Sequence, residues 1–219
     1  IYPTEVVRWT KIYDLFNSGE YKPYAEEINE ETGNKKIIDM ILHAKKKVYP
    51  WIRLNRVIRD IPTTEIYGGN KNTSLRQLLQ KKLKDEGNSC KCIRCREVKY
   101  RKIDPKNVKL MIRKYNDSNA DEYFISFESK DEEILYGFCR LRLNNSNDSI
   151  FFDELKDSAL IRELHVYGLM VPHDSNKKAT QHFGFGKRLL KAAEHIAMDN
   201  HFSKISVISG IGVREYYSK

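Results

Sequence analysis

The stretch Gln181-His182-Phe183-Gly184-Phe185-Gly186-Lys187 limits what this chain can fold into more than any other. It follows a β-prone segment, Arg162-Glu163-Leu164-His165-Val166-Tyr167-Gly168, that reads as part of a strand from Leu160 to Met170. It opens a helical segment, Gly186 to about Met198, with Leu189, Leu190, Ala193, Ile196 and Ala197 on one stripe. Glycines let the backbone come close to a phosphate, and the N–H groups of a helix N-terminus attract an anion. A tight turn would explain the glycines taken alone. Their place between a strand and an amphipathic helix favours a phosphate-cradling turn.

The surrounding pattern is that of a mainly antiparallel sheet. Val108 to Tyr115 and Tyr123 to Glu128 read as strands around the polar turn Asn116-Asp117-Ser118-Asn119, and Gly137 to Leu143 turns Cys139, Leu141 and Leu143 inward and Arg140 and Arg142 outward. Lys204 to Ser209 reads as a strand, and Ser209-Gly210-Ile211-Gly212 leads into a helix opening at Val213 that carries Tyr216 and Tyr217. A tyrosine there can hydrogen-bond or protonate a departing thiolate. Adjacent helical residues point about 100° apart, so one of the two faces the reacting group, and Tyr217 is the preferred one. The alternative is a pair of surface or packing tyrosines.

The first half of the chain has a different character. Residues 36–47 read as a helix with Ile37, Ile38, Ile41 and Leu42 on one face, ended by Tyr49-Pro50-Trp51. Arg53 to Ile61 alternates as a strand would. A second helix runs from about Ser74 to Glu86, capped by Thr73 or Ser74, with Leu75, Leu78, Leu79 and Leu83 buried and Gly87 as its stop. A boundary falls near Glu97.

Three of the four cysteines lie in Cys90-Lys91-Cys92-Ile93-Arg94-Cys95. Thiolates at this spacing converge on one Zn2+, and tetrahedral zinc takes four donors. Cys139 reads as core, and His43, off the apolar stripe of its helix, is the best histidine candidate for a fourth ligand. No signal peptide is visible, and no apolar run approaches the roughly 18–20 residues that span a membrane. The chain therefore reads as cytoplasmic, where disulfides are rare.

The formal net charge is +9 and sits mostly in one region: residues 41–102 hold 17 Lys/Arg against 5 Asp/Glu. Such a concentration suits a polyanion bound through its phosphates, although a solvated lysine-rich face would look the same. The candidate contacts are Lys45, Lys46, Lys47, Arg53, Arg56, Arg59, Lys81, Lys82, Arg94, Arg96 and Arg101.

Several strings together resemble the catalytic subunit of Elongator. They are Glu163-Leu164-His165-Val166-Tyr167-Gly168, Gln181-His182-x-Gly184-Phe185-Gly186 and Ile205-Ser206-Val207-Ile208-Ser209-Gly210-x-Gly212-x-Arg214-x-Tyr216-Tyr217. Upstream the likeness continues through Ile1-Tyr2-Pro3-Thr4, Pro50-Trp51, Arg56-Val57-x-Arg59-Asp60-Ile61-Pro62 and Arg96-Glu97-Val98. That family joins a radical-SAM domain to a GNAT acetyltransferase domain and modifies the wobble uridine of tRNA.

The resemblance implies an α+β chain in three parts: residues 1–88 as the basic C-terminal part of a radical-SAM-like domain, 89–97 as a zinc linker, and 98–219 as the GNAT domain. It implies acetyl-CoA held by Glu163, Leu164, His165 and Val166, by Gln181, Phe183, Gly184, Phe185, Gly186, Lys187 and Arg188, and by Tyr217, with Tyr216 and Tyr217 at the chemistry. It implies Zn2+ on Cys90, Cys92 and Cys95, tRNA across a basic cleft, and other Elongator subunits as partners. In the full-length family an S-adenosylmethionine radical activates the acetyl methyl group, which adds to C5 of uridine, and thioester hydrolysis leaves a carboxymethyl group. The C-x3-C-x2-C motif for the 4Fe-4S cluster is absent here, so neither that cluster nor S-adenosylmethionine is expected on this chain. Ile1 enters late in the radical-SAM domain and Lys219 stops inside a helix, so the chain reads as a piece of a longer protein. Two alternatives use the same residues differently. One is a histone-type lysine N-acetyltransferase with Glu163 as base. The other is a non-catalytic tRNA-binding module.

Overall fold

Apolar stripes at helical spacing in the first half of the chain, and alternation in the second, become the buried faces of two separate units, residues 1–95 and 96–219. The structure is a computed structural model that describes residues 4–25, 35–57, 61–101, 103–148, 150–168 and 184–218.

The first unit contains β1 (Val6–Val7), α1 (Lys11–Asn17), α2 (Lys35–Lys47), β2 (Ile66–Gly68), α3 (Leu75–Asp85) and most of α4 (Ile93–Arg96). β1 and β2 pair antiparallel. Ile37, Ile38, Ile41 and Leu42 of α2 form one buried cluster with Leu75, Leu79 and Leu83 of α3, the one-sided stripe expected of a surface helix. Gly87 stops α3 at φ +67°, a left-handed conformation that glycine adopts without a Cβ penalty, and its N–H bonds the Lys84 carbonyl at 3.0 Å.

Two sequence expectations fail in this unit. Ser74 stands at the N-cap of α3, but its side chain makes no capping bond; its own N–H donates to the Asn72 side chain at 2.8 Å instead. Arg53 to Val57 form no strand. Alternation makes a strand only where a neighbour supplies a hydrogen-bond ladder, and here the preceding backbone is tied to a helix, Ile52 accepting from the Ile93 N–H at 2.9 Å.

The second unit is a five-stranded mixed sheet in the order β3 (Val108–Asp117), β4 (Ala120–Ser129), β5 (Leu135–Asn144), β6 (Ser158–Val166), β7 (Lys204–Val207). β3 to β6 are antiparallel, and β7 joins β6 in parallel. The long helix α5 (Phe185–Asp199) lies between β6 and β7 in the chain, and the short helix α6 (Arg214–Tyr217) follows β7. Leu189, Ala193 and Ala197 of α5 pack on Tyr123, Ile125, Phe127, Cys139, Leu141, Leu143 and Ile161, with Leu190 and Ile196 partly buried at the margin.

The opposite face of the sheet is buried too. It carries Phe124 and Phe138 together with Glu122, Ser126 and Glu128. Both carboxylates meet arginines, although the second oxygen of Glu122 is buried without a hydrogen-bond partner. Glu128 receives both guanidinium nitrogens of Arg113, at 2.6 and 3.0 Å, and Arg96 at 2.8 Å. One oxygen of Glu122 receives Arg142 at 2.8 Å and Arg162 at 2.6 Å.

Candidate functional site

Three segments meet at the N-terminus of α5. Gly184 takes the N-cap position at φ +65° and turns the chain into the helix. The Arg188 N–H makes the first bond of the helical ladder, to Gly184 O at 3.1 Å. The amides of residues 185–187 therefore precede that ladder and face out of the helix's positive end. Phe185 fixes this turn to the sheet, buried and stacked on Phe127 with ring centroids 4.6 Å apart. Gly186 is the crowded position. A Cβ built there would lie 2.5 Å from the Tyr216 hydroxyl oxygen and 3.7 Å from a Val166 methyl. The glycine turn, the end of β6 and α6 thus converge on Gly186.

The strand that leads to this point is built to open. β6 pairs with β7 from Ser158 opposite Lys204 to Ile161 opposite Val207, and that pairing ends there, although β6 runs on to Val166. On its other side the register passes from Arg140 opposite Glu163 to Leu141 opposite Ile161, leaving Arg162 as an extra residue. Such a bulge bends a strand. It falls where β6 parts from β7, so the β7-facing edge of residues 162–166 is left beyond the ladder. An extended amide-bearing ligand can add to such an edge as a strand does.

Side chains around this edge have distinct roles. Leu164 and Val166 pack against the core, and His165 lies against Tyr167 with ring centroids 4.3 Å apart. Glu163 accepts from Arg140 at 3.1 Å, so it is engaged rather than poised as a base. Tyr216 and Tyr217 meet edge to face, centroids 5.2 Å apart. Burial pushes both phenols above their ordinary range, and the nearby Cys139 adds to the effect on Tyr217. The Tyr216 hydroxyl reaches the helix N-terminus at Gly186. Both phenols keep a proton to donate at neutral pH.

Arg188 of the expected coenzyme set is engaged within the protein. The Arg188 amide is already spent on Gly184, and its guanidinium lies 4.4 Å over the Phe127 ring. Gln181 and Phe183 lie outside the described residues.

In the first unit the sulfur atoms of Cys90, Cys92 and Cys95 lie within 4.8 Å of one another. Sulfurs bound tetrahedrally to zinc at about 2.3 Å stand about 3.8 Å apart, so the triad fits such an ion after a small contraction. Cys90 and Cys92 are buried, and the Cys95 N–H is folded back onto Cys92 O at 3.1 Å. Hydrogen bonds from Cys90 and then Cys92, with the Lys45 ammonium beyond them, hold Cys95 well below the usual thiol range; the same sulfur hydrogen bonds push Cys90 up. His43 is exposed and lies outside this cluster of three sulfurs. Cys139 is core in the second unit, as its alternation predicts.

A relative from Schizosaccharomyces pombe, Elongator complex protein 3, is 40% identical over 227 residues, covering 100% of this chain and 40% of its own length. The tRNA uridine(34) acetyltransferase of Methanocaldococcus infernus is 40% identical over 229 residues, covering 100% of this chain and 41% of its own. The chain is homologous over its whole length to Elongator complex protein 3. The Radical_SAM C-terminal domain family matches residues 1–85. The solved structure of archaeal Methanocaldococcus infernus Elp3 with an N-terminal deletion superposes with a TM-score of 0.81 at 39% identity, covering 99% of this chain and 51% of that one. The chain thus spans about two fifths of the length of the curated Elongator complex protein 3 relatives it matches.

Within this Elongator complex protein 3 homologue the basic candidates separate by burial. Lys46, Lys47, Arg53, Arg56, Lys81, Lys82 and Arg101 are exposed, Lys46 pairing with Glu86 at 2.5 Å, and Arg94 is half-buried. Arg59 lies outside the described residues. Two of the candidates are not surface groups. Lys45 is 4% exposed and Arg96 is 3% exposed, the latter paired with the buried Glu128. Charge counting missed both because it cannot tell an inward cation from an outward one. It also missed the carboxylates Glu122 and Glu128. The signal for Glu128 was available, since a register counted outward from the Asn116–Asn119 turn puts Arg113 and Glu128 on one face.

Proposed function

We propose that this chain carries the acetyl-CoA-binding, GNAT-type part of an Elongator-type enzyme that installs a carboxymethyl group at C5 of the wobble uridine of tRNA. The observation that carries this reading is the convergence of Gly186, the open edge of β6 and the α6 tyrosines at the N-terminus of a fifteen-residue helix. In this reading the amides of residues 185–187 receive the diphosphate of the coenzyme. The part of β6 beyond its pairing with β7, Glu163 to Val166, pairs with the amides of the pantetheine arm. Tyr217 hydrogen-bonds the thioester sulfur and gives its proton to the thiolate when the acyl group leaves. Tyr216 lines the phosphate end. The tRNA is held by the exposed basic residues, and the homologues named as tRNA uridine(34) acetyltransferases support that partner.

The chain's acetyl-CoA hydrolysis, followed as free thiol, tests this reading. Addition of tRNA is expected to raise the rate, and the stimulation is expected to fall steeply as salt rises, because the contacts are to phosphates. A rate indifferent to tRNA at every salt concentration would contradict it. Lysine acetylation of a peptide panel without tRNA would favour the histone-type alternative, which Glu163 serves poorly while bound to Arg140.

A further inference from the structure

Lys45 is the charged residue whose position the function above does not use. It lies in the last turn of α2, one turn on from Ile41 and Leu42, and it is buried. Lysines at the surface of a basic helix do not fold inward without a partner, because a buried ammonium loses its hydration. Its two neighbours, Lys46 and Lys47, do point outward. The contact Lys45 makes is with the cysteine triad: Nζ lies 3.5 Å from Cys95 Sγ. Cys95 Sγ lies within 4.8 Å of the sulfurs of Cys90 and Cys92.

We propose that Lys45 is the built-in counter-ion of a three-thiolate metal centre formed by Cys90, Cys92 and Cys95, holding a soft divalent cation of the zinc class. The proposal rests on the metal-site reading of the triad and deepens it. Charge decides the matter. Three thiolates release their protons to solvent when the ion enters and carry three negative charges. One divalent cation leaves the centre with a single negative charge, in a place where Cys90 and Cys92 are buried. One ammonium at hydrogen-bond distance from sulfur brings that to zero. No fourth sulfur or imidazole joins the cluster among the described residues, so the compensation that a neutral ligand set would need falls to Lys45. Groups that hydrogen-bond a metal ligand from outside commonly change affinity about 10- to 100-fold when removed.

The test compares the 219-residue chain with Lys45→Met, which keeps the length of the side chain and loses the charge, and with Lys45→Arg, which keeps the charge. Zn2+ affinity is read by competition with a chromophoric chelator, the ligand set by the thiolate-to-metal bands of the Co2+ form, and the fold by thermal unfolding of the metal-free proteins. Lys45→Met is expected to bind Zn2+ about 10- to 100-fold more weakly, with unchanged Co2+ bands at saturation and a metal-free unfolding temperature no lower than wild type. Lys45→Arg should stay within a few-fold of wild type. Equal affinity for wild type and Lys45→Met would overturn the counter-ion role while leaving the metal site standing. Loss of affinity that tracks loss of metal-free stability in both variants would also overturn it, since the role would then be packing. Absence of Zn2+ binding by wild type would remove the metal reading itself.

Discussion

Gly186→Ala separates binding from folding at the turn. The new methyl would lie 2.5 Å from the Tyr216 hydroxyl oxygen, against 3.4 Å for ordinary contact. The obstacle is the far end of one exposed side chain, not backbone. A small rotation of the Tyr216 ring relieves it at a cost of about 0.5–1.5 kcal/mol. Replacing a glycine in the first turn of a helix returns about 0.4–1 kcal/mol by restricting the unfolded chain. The two nearly cancel, so the unfolding temperature should move by only a few degrees. Binding should respond differently. The methyl occupies the approach to an amide that receives a phosphate oxygen, and hydrogen bonds to a charged group are worth about 1.5–3 kcal/mol each. Isothermal titration with acetyl-CoA should therefore show affinity about 10- to 100-fold weaker in a protein that still folds. Wild-type affinity in Gly186→Ala would refute the placement of the diphosphate.

Other consequences can be measured with the same preparation. Tyr217→Phe is expected to lower acetyl-CoA hydrolysis about 100-fold with little change in acetyl-CoA affinity, if the phenol is the proton donor; an unchanged rate would remove it from the chemistry. Glu128→Gln leaves Arg113 and Arg96 facing an uncharged group at a fully buried site, so urea unfolding should show a loss of about 3–5 kcal/mol. Burial pushes the Cys139 thiol up to about 12 from 9.0, so the unfolded chain ionises first as pH rises. The stability this contributes is complete below about pH 9 and should be lost progressively between pH 9 and 12, and Cys139→Val should flatten that part of the alkaline unfolding curve. Replacing Lys47, Lys81 and Lys82 by Gln should weaken tRNA binding and shallow its salt dependence by up to about three phosphate contacts, whereas Arg96→Gln should lower stability instead.

The features legible in the sequence were those written in a local period. The leucines of α3, the stripe of α5 and the alternation of Cys139, Leu141 and Leu143 each name one buried face, and each is where the spacing puts it. The second face of the sheet was not legible, because Arg140 and Arg142 read as solvent-facing until Glu163 and Glu122 are seen opposite them. The glycine turn gave the start of α5 but not the bulge at Arg162, which arises from a mismatch between β5 and β6 that no single segment records. The cysteine spacing pointed to a cluster, yet the inward turn of Lys45 depends on α2 and α4 meeting across about fifty residues of chain. Arg53 to Val57 had the alternation of a strand and form none, and residues 58–60 of that expected strand lie outside the described residues.

Calorimetric titration of the wild-type chain with acetyl-CoA tests the central reading most directly. A one-to-one isotherm is expected, lost with S-acetylpantetheine, which lacks the diphosphate, and weakened by Gly186→Ala. A flat trace with folded protein at millimolar ligand would contradict it.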